Sequence, residues 1–238
     1  MATSPSPIES KQVRPTSFIV GALVVLCAVA GITCFFLARE MNWNLGWLYV
    51  GLFGASLLVH VVCVLLLNPI VLARRAFLRA GTKIWDIAWL VTFIPMVVAI
   101  YFVARHDLNT RSAPPGPHGI SWLIGASIFV FGWAIVTWAM IANPFFEKTV
   151  RIQTEHGHRV IDHGPYACIR HPGYVGFGAI FLATPLLLDS AWTLLPTLLC
   201  VIWLVIRTVF EDRMLKAELA GYADYAQRVR YRLIPGIW

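Results

Sequence analysis

Long runs without charge decide what this chain can fold into. Phe18–Ala38, Asn42–Ala73, Ile87–Ala104 and Ile120–Phe146 contain no charged side chain. A helix needs about 20 apolar residues to cross the roughly 30 Å of hydrocarbon in a bilayer. Two shorter runs, Tyr174–Leu188 and Ala191–Ile206, are divided by Asp189-Ser190 and read as a tight helical hairpin. Charged residues make up 13% of the chain, whereas a soluble domain carries about 25%. A water-soluble fold is therefore excluded. The expected fold is all-α, a polytopic integral-membrane bundle of about six transmembrane helices.

Orientation follows from where the net charge of +7 lies. Lys11 and Arg14 precede the first run; Arg74, Arg75, Arg79 and Lys83 follow the second. Lys148, Arg151, Arg159 and Arg170 follow the fourth, and Arg213, Lys216, Arg228, Arg230 and Arg232 close the chain. The strongly basic segments alternate with weakly charged ones. Six spans with both termini in the cytoplasm satisfy the positive-inside bias at each connection. Anionic lipid headgroups account for the basic balance, and no nucleic-acid partner is required. The first run is too long for a signal-peptide core, and no lipidation motif precedes it, so it is expected to be an uncleaved anchor. The five cysteines form no close-spaced pair and read as apolar filler.

Texture divides the chain into a polar tail (1–17, expected to be disordered), a four-span scaffold (18–142) and a C-terminal region (143–238). In the scaffold, Gly21, Gly31, Gly51, Gly54, Gly125 and Gly132 are placed to allow close helix contact. Pro95 is expected to kink the third span. Arg105–Gly119, with Pro114-Pro115-Gly116-Pro117, reads as a non-helical connector on the outer side. After Leu215, LKAELAGYADYAQRV reads as a helix and RVRYRLIPGIW as an extended segment lying at the interface.

Polarity kept inside a membrane protein usually carries function. It concentrates here in HRVIDHGPYACIRHPGY (His158–Tyr174) and RTVFED (Arg207–Asp212), which the hairpin brings to one cytoplasmic end. His156, His158, His163 and His171 are interrupted by a turn and a proline, which disfavours a metal site and favours separate hydrogen-bonding roles. Pro172 suits the first position of the fifth helix. Arg170 and His171 then lie at a helix N-terminus, which attracts an anionic group. Alternatively, Arg170 snorkels to headgroups and His171 caps the helix. Arg207 and Glu211, one turn apart, either form an ion pair that eases the helix end or face the bundle interior and contact a charged ligand.

GPYxxxRHPxY (Gly164–Tyr174), ExxxL (Glu211–Leu215) and GYxxYxxRV (Gly221–Val229) together resemble the isoprenylcysteine carboxyl methyltransferase family, which itself resembles the phospholipid N-methyltransferases. The resemblance is carried by the C-terminal region. It implies a helical membrane bundle that binds S-adenosylmethionine at its cytoplasmic face without a Rossmann domain, in a pocket built by the C-terminal part. It assigns cofactor contacts to His158, Arg159, Val160, Ile161, Tyr166, His171, Pro172, Gly173, Tyr174 and Glu211. Arg207 matches the substrate arginine, and Arg170 joins it as a candidate catalytic residue. Where the family has a glutamine, this chain has Arg151, with Gln153 nearby. The implied acceptor is lipophilic or lipidated, of prenylcysteine-carboxylate type, entering between helices. A phospholipid or small thiol is the alternative acceptor. The ending YxxYxxRVxYRLIPGIW is also similar to membrane sterol reductases that bind NADPH. Pro172 and the short chain favour methyl over hydride transfer. A non-enzymatic transporter would place polar residues along the first four spans, where His60 stands nearly alone.

Overall fold

The computed structural model describes residues 44–75, 81–111 and 119–238. The tail 1–17, the run Phe18–Ala38 and the glycines Gly21 and Gly31 lie outside them. Helix α1 spans Asn44–Leu67, α2 Pro69–Arg75, α3 Ile84–Thr110, α4 Gly119–Ala142, α5 Pro172–Leu187, α6 Leu194–Glu218 and α7 Tyr222–Arg228. Among the described residues there is no strand. Among the described residues four helical stretches (Leu45–Leu67, Ile84–Thr110, Gly119–Ala142 and Ala191–Glu218) are long and apolar enough to cross a membrane, and Pro172–Leu187 is shorter. Large apolar side chains such as Leu66, Ile84, Val91, Leu123 and Leu195 stay exposed along them, as expected of helices solvated by lipid. The all-helical, multi-pass expectation stands.

Several boundaries move for identifiable reasons. The uncharged run Asn42–Ala73 is divided at Asn68. Pro69 has no N–H to continue the ladder and disfavours helical backbone at the residue before it. Asn68 turns the break to use: its Nδ2 donates to Met140 O at 3.0 Å and Ile141 O at 3.1 Å, closing the last turn of α4. Helix α3 continues through Pro95 and on to Thr110, so Arg105–Thr110 is helix rather than connector. Helix α6 runs to Glu218, past the end of its apolar stretch. LKAE thus belongs to α6, and a left-handed Gly221 (φ 78°) starts the separate α7. The ending is not extended. It curls, with Arg232, Leu233 and Ile234 N–H groups all meeting the Trp238 carbonyl.

Helices α4 and α5 form the tightest contact. Gly132 and Gly176 face each other so closely that a Cβ on Gly132 would stand 2.7 Å from Gly176 O. Gly125 likewise lies against Leu186 and Leu187. Among the described residues nothing stands within 4 Å of a Cβ at Gly51 or Gly54. Phe129, Val136, Met140, Ile180, Ala183, Leu187 and Cys200 fill the centre with Val64 and Ile100. Polar ties cross it: His60 Nδ1 meets Thr137 Oγ1 at 2.7 Å, and Tyr49 OH meets Tyr101 OH at 3.0 Å. Trp89 Nε1 donates to Trp203 O at 2.8 Å.

The two ends of the bundle differ. At one end a clip joins the last turn of α3 to the α5–α6 turn. Arg111 bonds Asp107 at 2.7 Å and Asp189 at 3.3 Å, and Ser190 Oγ donates to Asp107 at 2.5 Å. The start of α3, the ends of α4 and α6 and the start of α5 meet at the other end, beneath the irregular segment 143–171.

Candidate active site

Segment 143–171 is held over the helix ends by its own turn chemistry. Asn143 Oδ1 accepts from Phe145 N–H at 2.8 Å, and its Nδ2 donates to Tyr166 OH at 3.2 Å. Gly164 adopts φ 58° beside Trp138 and Ala142, and Pro165 follows it into a one-turn 3-10 helix. Arg151 is buried between Glu147, at 2.7 Å, and Glu155, at 2.7 Å. The hydrogen bond to Glu147 is the main reason its pKa is raised. Tyr225 OH donates to Tyr166 O at 2.7 Å. Burial raises the phenol pKa values of Tyr166, Tyr222 and Tyr225, keeping them neutral donors.

Asp212 is the hub beneath this segment. It receives Arg170 Nε at 2.7 Å and Nη2 at 3.1 Å, Arg232 Nε at 2.9 Å and Tyr222 OH at 3.1 Å, with Lys216 at 3.3 Å and His171 at 3.4 Å. Arg170 Nη1 also donates to the carbonyls of Val229 at 2.7 Å and Arg230 at 2.9 Å. The backbone N–H groups of Arg170 and His171 bond Tyr231 O and Arg232 O. Arg170 thus neither snorkels to headgroups nor presents an open guanidinium. It ties the C-terminal segment to the root of α5, which speaks against the catalytic part expected of it. Pro172 opens α5 as expected, but His171 makes no side-chain cap and instead stacks on the Tyr174 ring at 5.8 Å.

Between this segment and the helix ends lies a cavity of about 940 Å³, including the part open to solvent. Residues far apart in sequence converge on it. His158, Arg159, Val160, Ile161, Tyr166, Arg170, His171, Gly173, Tyr174, Arg207 and Glu211 all line it, and Pro172 alone of the expected set does not. Arg207 and Glu211 do not pair. Tyr174 OH donates to Glu211 in a short hydrogen bond. The Arg207 guanidinium turns to Asp86, with Nε 2.9 Å from Oδ1 and Nη2 donating to Oδ2 at 3.2 Å, and lies 4.2 Å over the Trp89 ring. The Nε–Oδ1 approach is close in distance yet misaligned as a hydrogen bond, so it counts as charge contact. The helix-end ion pair i, i+4 is therefore not the arrangement adopted.

Other wall features suit a ligand. Gly173 leaves no room for a Cβ, which would stand 2.5 Å from the Phe146 ring. Phe145 and His158 rings lie 4.6 Å apart. Gln153 lines the cavity at 1% exposure, and its Nε2 donates to Phe145 O at 2.7 Å. Its buried Oε1 has no hydrogen-bond partner among the described residues. A buried acceptor without a donor is costly, and a bound N–H would satisfy it. Sequence reasoning missed Asp86, Asp212 and Tyr222. Asp212 stood in the quoted RTVFED cluster, and Asp86 closes off the uncharged run that starts at Ile87.

The fold and cavity define a membrane-embedded helical bundle with a polar ligand pocket at one end of its helices. Residues 120–220 match the family model described as phospholipid methyltransferase. A protein-S-isoprenylcysteine O-methyltransferase of Tribolium castaneum is 24% identical over 71% of this chain and 58% of its own length. A probable one of Oryza sativa subsp. indica is 31% identical over 44% of this chain and 57% of its own length. The chain thus spans little more than half the length of these curated relatives. The solved structure of a eukaryotic intramembrane Ras methyltransferase (isoprenylcysteine carboxyl methyltransferase) shares the fold, with a TM-score of 0.51 at 20% identity, over 92% of this chain and 86% of that one. The curated relatives carry the name of the isoprenylcysteine methyltransferases, the family that the motifs from Gly164 to Val229 resemble.

Proposed function

We propose that this chain is an integral-membrane, S-adenosylmethionine-dependent methyltransferase acting on a prenylcysteine-type carboxylate. The observation that carries the reading is the convergence of the motif residues, from His158 to Glu211, on one cavity. The donor set fits the cofactor. Glu211 offers a carboxylate to cationic or hydroxyl groups, Gln153 an orphaned acceptor, and Phe145, His158, Val160 and Ile161 aromatic and aliphatic lining. When bound, S-adenosylmethionine supplies a methyl group on a cationic sulfur, open to in-line attack.

The chain's own contribution is then positioning. A carboxylate acceptor needs no general base, so holding the reactants in line supplies most of the catalysis, with effective molarities of the order of 10⁵ M or more attainable. Tyr174 fixes Glu211 on one side, and Arg207, one turn deeper in α6, contacts the acceptor on the other. The charge alternation supports a cytoplasmic pocket and cytoplasmic termini. The family-model description favours phospholipid amine methylation as the second reading. Purified protein incubated with methyl-labelled S-adenosylmethionine and either N-acetyl-S-farnesylcysteine or phosphatidylethanolamine decides between them. A base-labile ester on the farnesylated acceptor is expected. Label on the phospholipid amine alone would transfer the proposal to the second reading.

A further inference from the structure

We propose that Asp86 is the positioning residue of the acceptor subsite, holding Arg207 by the Nε–Nη2 edge of its guanidinium and leaving Nη1 to meet the acceptor. The inference rests on the methyltransferase reading and adds to it a residue and a binding geometry.

Asp86 sits in the first turn of α3, at 1% exposure and just before a long uncharged run. A carboxylate buried at the head of a membrane helix is costly unless paired and hydrogen-bonded. Its pairing is specific. Oδ2 accepts from Val150 N–H at 2.7 Å and from Arg207 Nη2 at 3.2 Å, and Oδ1 lies 2.9 Å from Arg207 Nε. Thus one side chain fixes both the arginine and the segment that walls the cavity. Further bonds lock that segment to the start of α3: Lys83 N–H donates to Val150 O at 3.2 Å, and Thr82 meets Thr149 at 3.3 Å.

The guanidinium can be followed donor by donor. Of its five N–H groups, those of Nη2 serve Asp86 and, at 2.8 Å, Lys148 O, while Nε lies 2.9 Å from Asp86 Oδ1 as a charge contact without a hydrogen bond. Trp89 lies against one face, 4.2 Å from the ring centroid, and Tyr174 stands 5.6 Å away. Nη1 makes no hydrogen bond among the described residues, and Nε, though held against Asp86, makes none either. Arg207 lines the cavity and Asp86 does not. The forked edge that would clamp a carboxylate bidentately is therefore already occupied by the protein's own carboxylate.

Two consequences follow. An acceptor carboxylate meets Arg207 through one nitrogen, which leaves its second oxygen clear of the guanidinium and able to act as nucleophile. Asp86 also offsets the charge of Arg207, so the acceptor is oriented without being trapped in a tight ion pair. Arg207 sits in this subsite as a steered donor rather than a clamp.

Asp86→Asn tests this, because asparagine keeps an acceptor for Val150 N–H while removing the charge. Calorimetry with S-adenosylhomocysteine, steady-state kinetics, and binding of the farnesylated acid against its neutral methyl ester are measured on variant and wild type. The affinity for S-adenosylhomocysteine is expected within about threefold of wild type and kcat lower by tenfold or more, since a small misplacement near the reacting centre costs about that much. The acid should gain affinity relative to the ester, because Arg207 is no longer offset. Parallel losses of homocysteine-ligand affinity and kcat, or an unchanged acid-to-ester ratio, would make Asp86 a structural partner only and overturn the inference. Should the asparagine variant fail to fold, Asp86→Glu, with the charge moved by one methylene, must lower kcat while keeping ligand affinity; wild-type kcat would overturn it. A wild-type protein that binds no S-adenosylhomocysteine overturns the methyltransferase reading itself, whereas normal wild-type turnover with an unaltered Asp86→Asn enzyme overturns this inference alone.

Discussion

Gly176→Ala should loosen the bundle and the cavity together. The new Cβ would stand 2.6 Å from Gly132 O, 2.6 Å from Val136 Cγ2 and 2.9 Å from Val136 N. Ordinary contact begins at 3.4 Å, so α4 and α5 must separate by about 0.8 Å (3.4 − 2.6), in the range where overpacking costs about 1–3 kcal/mol. Two of the three obstructing atoms are backbone and cannot swing aside. The site feels the shift because α4 leads into Asn143–Phe146 and α5 begins at Pro172, on either side of the cavity. Thermal unfolding in detergent should show Tm lower by roughly 2–4 °C per kcal/mol, with weaker S-adenosylhomocysteine binding alongside. Gly178→Ala is the internal control. It lies on the same helix with nothing among the described residues within 4 Å, and a helical Gly→Ala change there should be neutral or stabilising by up to about 1 kcal/mol. If the two variants melt and bind alike, the close α4–α5 crossing is wrong.

Glu211→Gln should weaken S-adenosylhomocysteine binding by about 1.5–3 kcal/mol, some 10–150-fold, because a charge-assisted bond is lost; calorimetry showing under twofold change would confine Glu211 to holding Tyr174. Asp212→Asn leaves Arg170 buried without its carboxylate, which costs about 3–5 kcal/mol. The tail at Arg230 and Arg232 should then be cut faster by trypsin, and an unaltered cleavage rate would contradict the hub. Asp107→Asn at the opposite end should cost about 1 kcal/mol of stability through the partly exposed Arg111 and leave S-adenosylhomocysteine affinity unchanged. A loss of affinity there would show coupling that the fold does not provide.

Particular residues show what the sequence could reveal. Uncharged runs and the Pro172 helix start were readable because each rests on a local rule of length or backbone geometry. The cavity-lining set was largely readable too, since membrane burial penalises stray polarity and leaves it clustered between His158 and Tyr174 and near Glu211. Asn68-Pro69 was passed over because neither residue is charged, although together they break a helix. Helix α6 outruns its apolar stretch Ala191–Ile206, because Arg207 ends the run of apolar residues while helix geometry continues to Glu218. Asp86 escaped notice because its partner lies 121 residues away, and no local periodicity reports such a pair. The binding of Arg170 is not readable locally, because the Val229 and Arg230 carbonyls that hold it come from the chain's far end.

The most direct test of the account is calorimetry on detergent-purified wild-type protein, titrated in parallel with S-adenosylmethionine, S-adenosylhomocysteine and NADPH. Saturable one-site binding of both adenosyl ligands is predicted, weakened together in Glu211→Gln, with no heat from NADPH beyond dilution. Saturable NADPH binding with silent adenosyl ligands would contradict it and turn the cavity into a hydride-transfer site.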